Sequence, residues 1–435
     1  MKESYFPYPH LIAALDEYYG IKSKPLNAFL EEKGKKPRRK KKTKQKPGQK
    51  KLSILLTTFW DYPHTGGLSN YITTLKEGLE SMGHKVDVIA PSQFSPKKVQ
   101  KLREAIVPEL KTFFERRYGS STSKIIQNSR LLYIYEQMIS SVKVEKYDIL
   151  HAQDLFTANI LGRLNEGIGK PLLFTPHGMF TFSRVKFNRI EAGSAEEVYY
   201  KKMEEKAIDY ATHMVILSDS FREPLSSLGA KPKKLTTIHT GIEFKELKRK
   251  DRNEKVVIAC IARLGPRKGH THLFKALSMI KRIGQQAEVW IVGDGEMRET
   301  LEAEAKSLKL SNVKFLGKRE DIPAILSKTD IFVLPTVNDN LPISIIEAMH
   351  SGAAVLTTDC GGIKEIVHHN QTGLVVEPGH VGQLTTQLQR LLGDEALRKK
   401  LGGEAYDYAK KHLTREAMVG RVEELYYNLL DSEGE

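Results

Sequence analysis

Cysteine is scarce in this chain: there are two in 435 residues, Cys260 and Cys360. Both sit in apolar or glycine-rich stretches of the same half, which argues against a disulfide framework and for two buried thiols in a reducing compartment. Long hydrophobic runs are missing too. No stretch reaches the ~18 apolar residues that a spanning helix needs. The first residues, MKESYFPYPHLIAALDEYYG, lack the order of charge, apolar core and small residues that marks a secretory signal. A cytoplasmic protein is expected, at most peripheral at the cytosolic face of a membrane. No Cys-x-x-Cys, no His-x-x-x-His and no acidic cluster with metal spacing occurs, and there is no G-x-x-x-x-G-K-[ST] loop. No metal and no resident cofactor is therefore expected.

What is abundant is positive charge, but it is concentrated. The net charge is +15, and residues 33–51 (KGKKPRRKKKTKQKPGQKK) hold twelve Lys and Arg with no acid. Setting these aside leaves about +3 for the remainder, unremarkable at this length. The run lacks the interleaved aromatics of a single-strand binder, so nucleic acid is an unlikely partner. An anionic membrane surface, an anionic glycan acceptor or an acidic protein suits it better. The alternative is a solvated, disordered extension. Ahead of it, LIAALDEYYG has the apolar stripe of two or three helical turns, and the aromatic stretch at 5–20 is expected to dock beside the basic run. Order is expected from Leu52.

From Leu52 the pattern alternates between short apolar runs and helical periodicity. Strands are predicted at 52–58, 85–90, 148–152, 171–176, 213–218 and 234–240. A helix is predicted at about 68–82 with Gly83 as its stop. A polar break, ELKRKDRNEK (246–255), interrupts the alternation. It resumes with strands at 256–262, 287–293, 313–317, 330–335, 353–358 and 372–377. Such alternation implies parallel sheets covered on both faces. The fold class is α/β: two Rossmann-like, doubly wound parallel-sheet domains facing across a cleft, after a disordered basic N-terminal extension. The domains are an extension at 1–51, Rossmann-like domains at 52–245 and 246–400, and amphipathic final helices at 401–435; the family that the motifs below resemble implies that 52–245 is the acceptor domain, that 246–400 is the donor domain and that the final helices pack back on the N-terminal domain. Ligands of such sheets gather outside the carboxyl ends of the strands.

The residues at those ends carry the functional signal. Gly66 and Gly67 open a helix after the first strand, where amides can face an anion or a sugar. His151, with Asp154 after it, and His177 in FTPHGMF lie at two further strand ends of the same half. In the second half, IARLGPRKG places Arg263 and Lys268 in one loop. Two cations there suit a diphosphate, since Arg grips two oxygens and Lys acts as a point charge. GDGEM (293–297) reads as a turn opening a helix, with Asp294 and Glu296 in capping roles. In NDNLPISIIEAMHSG (338–352), Asn340 or Asp339 is expected to cap a helix that Pro342 begins. Helical spacing then puts Ser344, Glu347 and Ser351 on one side, with Ile345, Ile346 and Met349 toward the core. DCGGIKE (359–365) adds Gly361, Gly362 and Glu365 at the next strand end.

Taken together these motifs resemble glycosyltransferase family 4, retaining enzymes of the two-Rossmann GT-B fold. The resemblance runs from about Leu52 to the C-terminus and is strongest over 256–378. It aligns the family's paired-glycine turn with Gly66 and Gly67. The Thr-x-His-Gly segment falls on Thr175 to Gly178, giving His177 a place at the sugar. The Gly-Arg-x-x-x-x-Lys-Gly element falls on ARLGPRKG, with Ala262 in place of the leading glycine and Arg263 and Lys268 on the donor diphosphate. GDG falls on Gly293 to Gly295. The family's pair of glutamates with seven residues between them falls on Asp339 and Glu347. The resemblance implies that Glu347 binds the donor ribose and that Asp339 lies near the transferred sugar, one methylene and roughly 1.5 Å shorter than the usual Glu. Amides of Leu341 and Ile343 would face the sugar and phosphates, and backbone near Gly317, Lys318 and Arg319 the base. His151 and Asp154 are assigned to the acceptor side. The implied activity is transfer of a sugar from a nucleoside-diphosphate donor to a glycan, lipid-linked or small-molecule acceptor, with anomeric retention and without a metal. A nucleotide-sugar epimerase on the same two-domain plan is the alternative, and a nucleic-acid-binding protein acting through the basic run ranks below both.

Overall fold

The computed structural model describes residues 8–22, 50–64, 66–119, 123–248 and 255–432. Most of the basic run at 33–51 lies outside the described residues, as does 249–254 of the polar break. The described chain forms two compact units. The first holds residues up to Ile216, Phe221–Thr237 and Val422 onward, and the second holds Leu217–Ser220 and Ile238–Arg421.

Both units are built on six parallel strands. In the first, β1 (Ser53–Thr57), β2 (Lys85–Ile89), β3 (Ile149–Ala152), β4 (Leu172–Phe174), β5 (His213–Ile216) and β6 (Leu235–Thr237) lie in the order β2-β1-β3-β4-β5-β6. In the second, β7 (Val256–Ile261), β8 (Ala287–Val292), β9 (Val313–Gly317), β10 (Ile331–Leu334), β11 (Ala354–Thr358) and β12 (Leu374–Val376) lie in the order β12-β11-β10-β7-β8-β9. Each predicted strand is present and shortened by a residue or more at one or both ends, except 313–317, which matches. The central strands are buried on both faces: Ile54, Leu55, Leu56, Phe332, Val333 and Leu334 have no exposed surface. That is why they read as unbroken apolar runs rather than as alternation.

Strand order reverses between β1 and β3 in the first unit and between β7 and β10 in the second. Connections leave those neighbours toward opposite faces, so a crevice opens at their carboxyl ends. The candidate residues of each half fall at these two places.

One expectation is corrected here. Order begins well before Leu52, and the aromatic N-terminal stretch is not a surface for docking. Its helix, Pro9–Tyr18, buries Tyr8, Leu11, Ile12 and Leu15 in the core of the first unit. Asp16, 1% exposed, is gripped through two oxygens by Arg117 Nε and an Arg117 terminal nitrogen, each at 2.7 Å, and accepts from Tyr118 Oη at 2.9 Å. A buried carboxylate held by a forked cation and a phenol fixes this helix to the end of helix Pro96–Tyr118.

Candidate active site

In the second unit the loops after β7, β8, β9, β10 and β11 are tied into one rim by backbone hydrogen bonds. Gly293 N donates to Gly317 O at 2.8 Å, Leu264 N to Asp294 O at 3.0 Å, Val337 N to Arg267 O at 2.8 Å and Gly362 N to Asn340 O at 2.9 Å. Two glycines make the close approaches possible. Gly293 has φ +136, and a Cβ there would lie 2.0 Å from Ala262 O; Gly361 has φ +56, and its Cβ would lie 2.1 Å from Asp339 O. No larger residue fits either place without moving the rim.

On that rim Lys268 donates to Asp339 in an ion pair that spans the β7/β10 crevice. Both side chains are about one-fifth exposed, so the pair is open on one side. Asp339 is held from behind. Its N–H donates to Cys360 Sγ at 3.1 Å, and Thr336 Oγ1, which donates to Arg267 O at 2.8 Å, lies 3.5 Å from its carboxylate. Arg263 lies in the same loop as Lys268 and is 75% exposed, donating to Glu296 at 2.9 Å. The expectation that Glu296 and Asp294 cap a helix is thus corrected. The helix starts at Arg298, both acids precede it, and Glu296 is drawn to the guanidinium instead.

Helix Ile343–His350 begins one residue beyond the expected start, with Pro342 in the capping position and no side-chain cap. Neither acid nor amide is free to cap. Asp339 is committed to Lys268, and Asn340 Oδ1 accepts from Ser218 Oγ at 2.5 Å. Among the described residues the amides of Leu341 and Ile343 have no acceptor, so the positive end of the helix remains available to an anion. The apolar side behaves as the spacing requires, with Ile345, Ile346 and Met349 fully buried. Glu347, one turn in, is partly buried beside Ser344, and its carboxylate has no hydrogen-bond partner among the described residues. Burial pushes its carboxyl up to about 7. Such a group is set to gain from a ligand hydroxyl that can share its proton. Gly317 takes a left-handed turn at the end of β9, and Lys318 is exposed beside it.

The first unit's rim has another character. Gly66 precedes helix Gly67–Ser81, whose first amides are not consumed by the helix itself. His177 donates from Nε2 to Gln153 Oε1 at 3.1 Å and meets the Tyr71 ring edge-on at 4.8 Å. Burial lowers its pKa to about 3, so it is a neutral imidazole with its Nε2 protonated. Gln153 Nε2 is buried without a partner among the described residues. The acceptor-side assignment of His151 and Asp154 is corrected. His151 is fully buried within β3, with Nδ1 2.7 Å from Tyr426 Oη and Nε2 2.7 Å from Thr175 Oγ1. Asp154 caps helix Leu155–Leu164 by accepting from Thr157 N at 2.8 Å, and also accepts from Phe59 N at 2.6 Å. Burial raises its pKa to about 6 against those two donors. Both residues shape the rim from within and neither offers an atom to a ligand.

The sequence did not disclose the roles of Gln153, Tyr71, Glu296 and Cys360. Gln153 had a signal, standing between His151 and Asp154 at a strand end. The other three act across chain separations that no local pattern shows.

Two family models match, and they adjoin. Glycosyltransferase Family 4 covers residues 65–246, and Glycosyl transferases group 1 covers residues 242–408. The chain belongs to glycosyltransferase family 4. A curated relative of this family 4 enzyme is the UDP-Gal:alpha-D-GlcNAc-diphosphoundecaprenol alpha-1,3-galactosyltransferase of Escherichia coli, 27% identical over 316 residues that make up 68% of this chain and 78% of the relative. Sucrose-phosphate synthase from Thermosynechococcus elongatus shares the fold at a TM-score of 0.68 and 19% identity, covering 88% of this chain and 100% of that one. The HepE protein of Anabaena, solved with UDP-glucose, does so at a TM-score of 0.62 and 17% identity, over 87% and 100%. These are two-domain GT-B structures, the fold this chain shares with them. The enzyme is a transferase, and the epimerase reading is not favoured. No helix among the described residues is long and apolar enough to cross a membrane, and no group of three or more His, Cys, Asp or Glu there could hold a metal ion.

Proposed function

We propose that this family 4 enzyme takes a sugar from a nucleoside-diphosphate donor bound on the second unit and passes it, with retention of configuration and without a divalent metal, to an acceptor hydroxyl met by the first unit. The observation that carries the reading is the Lys268–Asp339 pair at the β7/β10 crevice, open to solvent on one side and flanked by unengaged helix amides. A diphosphate there would meet Lys268, Arg263 and the amides of Leu341 and Ile343. Asp339, released in part from Lys268, would turn toward the sugar hydroxyls. Glu347 would take the ribose.

In the step itself the bond from C1 of the sugar to the diphosphate oxygen breaks while the acceptor oxygen bonds to C1 on the same face. The acceptor proton passes to the departing diphosphate oxygen, which leaves as nucleoside diphosphate. Negative charge grows on the leaving group, and preorganised cations and amides stabilise it more than they stabilise the donor. His177, neutral and held through its Nε2–H by Gln153, would accept a hydrogen bond from a sugar hydroxyl at Nδ1 without carrying charge. The E. coli relative acts on a lipid-diphosphate-linked acceptor by name, and HepE was solved with UDP-glucose; a uridine donor and a lipid-linked acceptor at a cytosolic membrane face are accordingly the first pair to try. What residues 33–49 contact lies outside the described residues.

Lys268→Ala should lower turnover by about 10²–10³-fold with an unchanged melting temperature. Turnover within twofold of the parent would refute the assignment. Proton NMR of the first-formed product reads the anomeric configuration. Activity that survives EDTA dialysis and is not raised by added Mg²⁺ or Mn²⁺ supports the metal-free route.

A further inference from the structure

The first unit carries cations that the donor site does not use. After β2 the chain runs through Phe94 into helix Pro96–Tyr118, whose first two turns present Lys97, Lys98, Lys101 and Arg103 to solvent. The antiparallel partner, helix Ser123–Ile139, supplies Arg130. None of these five forms an ion pair among the described residues. Arg130 is unusual among them. Its side chain is partly buried, and Nε is sealed from solvent without any acceptor. Other partly buried arginines of this unit are matched: Arg117 to Asp16 and Arg163 to Glu136. Arg130 instead has Arg103 nearby, and burial together with that like charge holds its pKa below the usual arginine value. A guanidinium whose Nε is sealed from water without an acceptor, beside a like charge, is costly in the empty protein, and an anion between the two relieves both conditions.

The fold places this pair at the carboxyl-end rim. Tyr135, five residues after Arg130, donates its hydroxyl to Thr58 O just past β1 and to Ile89 O at the end of β2. The chain then descends to the opposite end of the sheet, where the Asp148 carboxylate accepts from Ser53 N at 2.9 Å. Residues ahead of Tyr135 therefore extend beyond the rim that bears Gly66, Gln153 and His177. Phe94 and Phe59 pack on the Tyr135 ring at 4.8 and 5.2 Å, and Trp60 beside them is 43% exposed.

We propose that Arg103 and Arg130 form a binding subsite for a phosphate or diphosphate group carried by the acceptor. The planar forks suit its oxygens, the lysines of the first two turns add attraction, and Trp60 covers the adjoining apolar part. This deepens the transferase reading by naming the acceptor as phosphorylated. It rests on that reading for the role of the phosphate, though not for its binding.

The test uses the full chain carrying Trp290→Phe, which leaves Trp60 as its one tryptophan. Whichever of UDP, GDP or ADP raises the melting temperature most is held at saturation to fill the donor site. Inorganic pyrophosphate is then titrated against Trp60 fluorescence. A saturable change is expected, weakened at least tenfold by Arg103→Gln and by Arg130→Gln and less by Arg130→Lys, with the nucleotide-induced thermal shift unaltered in all three. Arg103 is exposed, so its variant reports even if the Arg130 variants misfold. A linear response, or the same midpoint in the Gln variants, overturns the subsite. Failure of all three nucleotides to bind counts against the donor site, and the pyrophosphate titration, run without them, then decides for or against this pair. A second arm uses phosphatidylcholine vesicles with one-third phosphatidylglycerol. Vesicle binding displaced by pyrophosphate assigns a lipid phosphate, and pyrophosphate binding without vesicle binding assigns a soluble phosphorylated acceptor. Vesicle binding indifferent to pyrophosphate and to both Gln substitutions overturns the proposal.

Discussion

The two reversal points of strand order make an instructive pair. Geometrically they are alike: neighbouring parallel strands, loops at the carboxyl ends, a glycine turn, a helix start. Electrostatically they differ. The rim of the second unit is ionic, with Lys268 on Asp339, Arg263 on Glu296, and Glu347 near the midpoint of its titration at neutral pH. The reversal point of the first carries no cation and one acid, which is buried. His177 and His151 are uncharged, and Asp154 is enclosed by amides. One topology thus supplies two kinds of ligand site, and side chains rather than strand order decide which. A diphosphate needs the first kind. A reacting sugar, whose anomeric carbon turns electron-poor as the bond breaks, is better served by neutral donors that do not compete for the leaving group.

This contrast can be broken or sharpened by substitution. Among single substitutions the largest effect is expected from Asp16→Ala. It strips a nearly buried Arg117 of its carboxylate and should cost about 3–5 kcal/mol of stability, read as a lowered urea midpoint. If stability changes by less than about 1 kcal/mol, the N-terminal helix is not a working part of the first unit. Truncation to Leu52 should be worse still, since it also uncovers Leu11, Ile12 and Leu15.

A smaller effect is expected at Glu347. Its folded pKa of about 7 exceeds the ordinary carboxylate value near 4.3. Between those two values the unfolded chain gives up the proton while the folded protein keeps it, so stability falls as pH rises and stays lowered above 7. Glu347→Gln should therefore stabilise the protein by about 2 kcal/mol at pH 8, allowing for partial exposure, and by nothing near pH 4. The same substitution should raise the donor KM and abolish the rise in donor affinity that the parent shows across pH 7. An identical pH dependence in parent and variant would place the titrating group elsewhere.

The smallest effect is an absence of change. With a pKa near 3, His177 does not titrate in the working range. His177→Gln should lower kcat while leaving the shape of its pH profile between 5 and 9 intact. Loss of an inflection in the variant would mean that His177 itself titrates in the working range.

How far the chain could be read without coordinates varied for physical reasons. Buried parallel strands announce themselves as continuous apolar runs, and all twelve were legible to within a few residues. Glycine turns and the Arg263/Lys268 loop were legible because local backbone rules demand particular residues there. Long-range pairing was not. Lys268 and Asp339 stand far apart in sequence, so the commitment of Asp339 was hidden, and a cap was expected from it. The two histidines show the same limit at close range. His151 lies inside its strand and is consumed by Thr175 and Tyr426, whereas His177 stands just past the end of its own and reaches the rim. Strand-end position was readable for both, but side-chain direction for neither. The Pro9–Tyr18 helix displayed a stripe, and a stripe alone does not say what covers it.

The Lys268–Asp339 contact also has a bearing on selectivity. In its resting form the crevice already holds an anion, its own. A visiting ion must do better than a carboxylate that is attached and waiting, and inorganic phosphate offers little beyond what Asp339 provides. On the proposed reading, a diphosphate bridged to a nucleoside would gain by reaching Arg263 and the helix start together and by seating its ribose on Glu347. The tethered occupant thus works as a threshold, keeping common cellular anions out and yielding to the molecule that spans the whole rim.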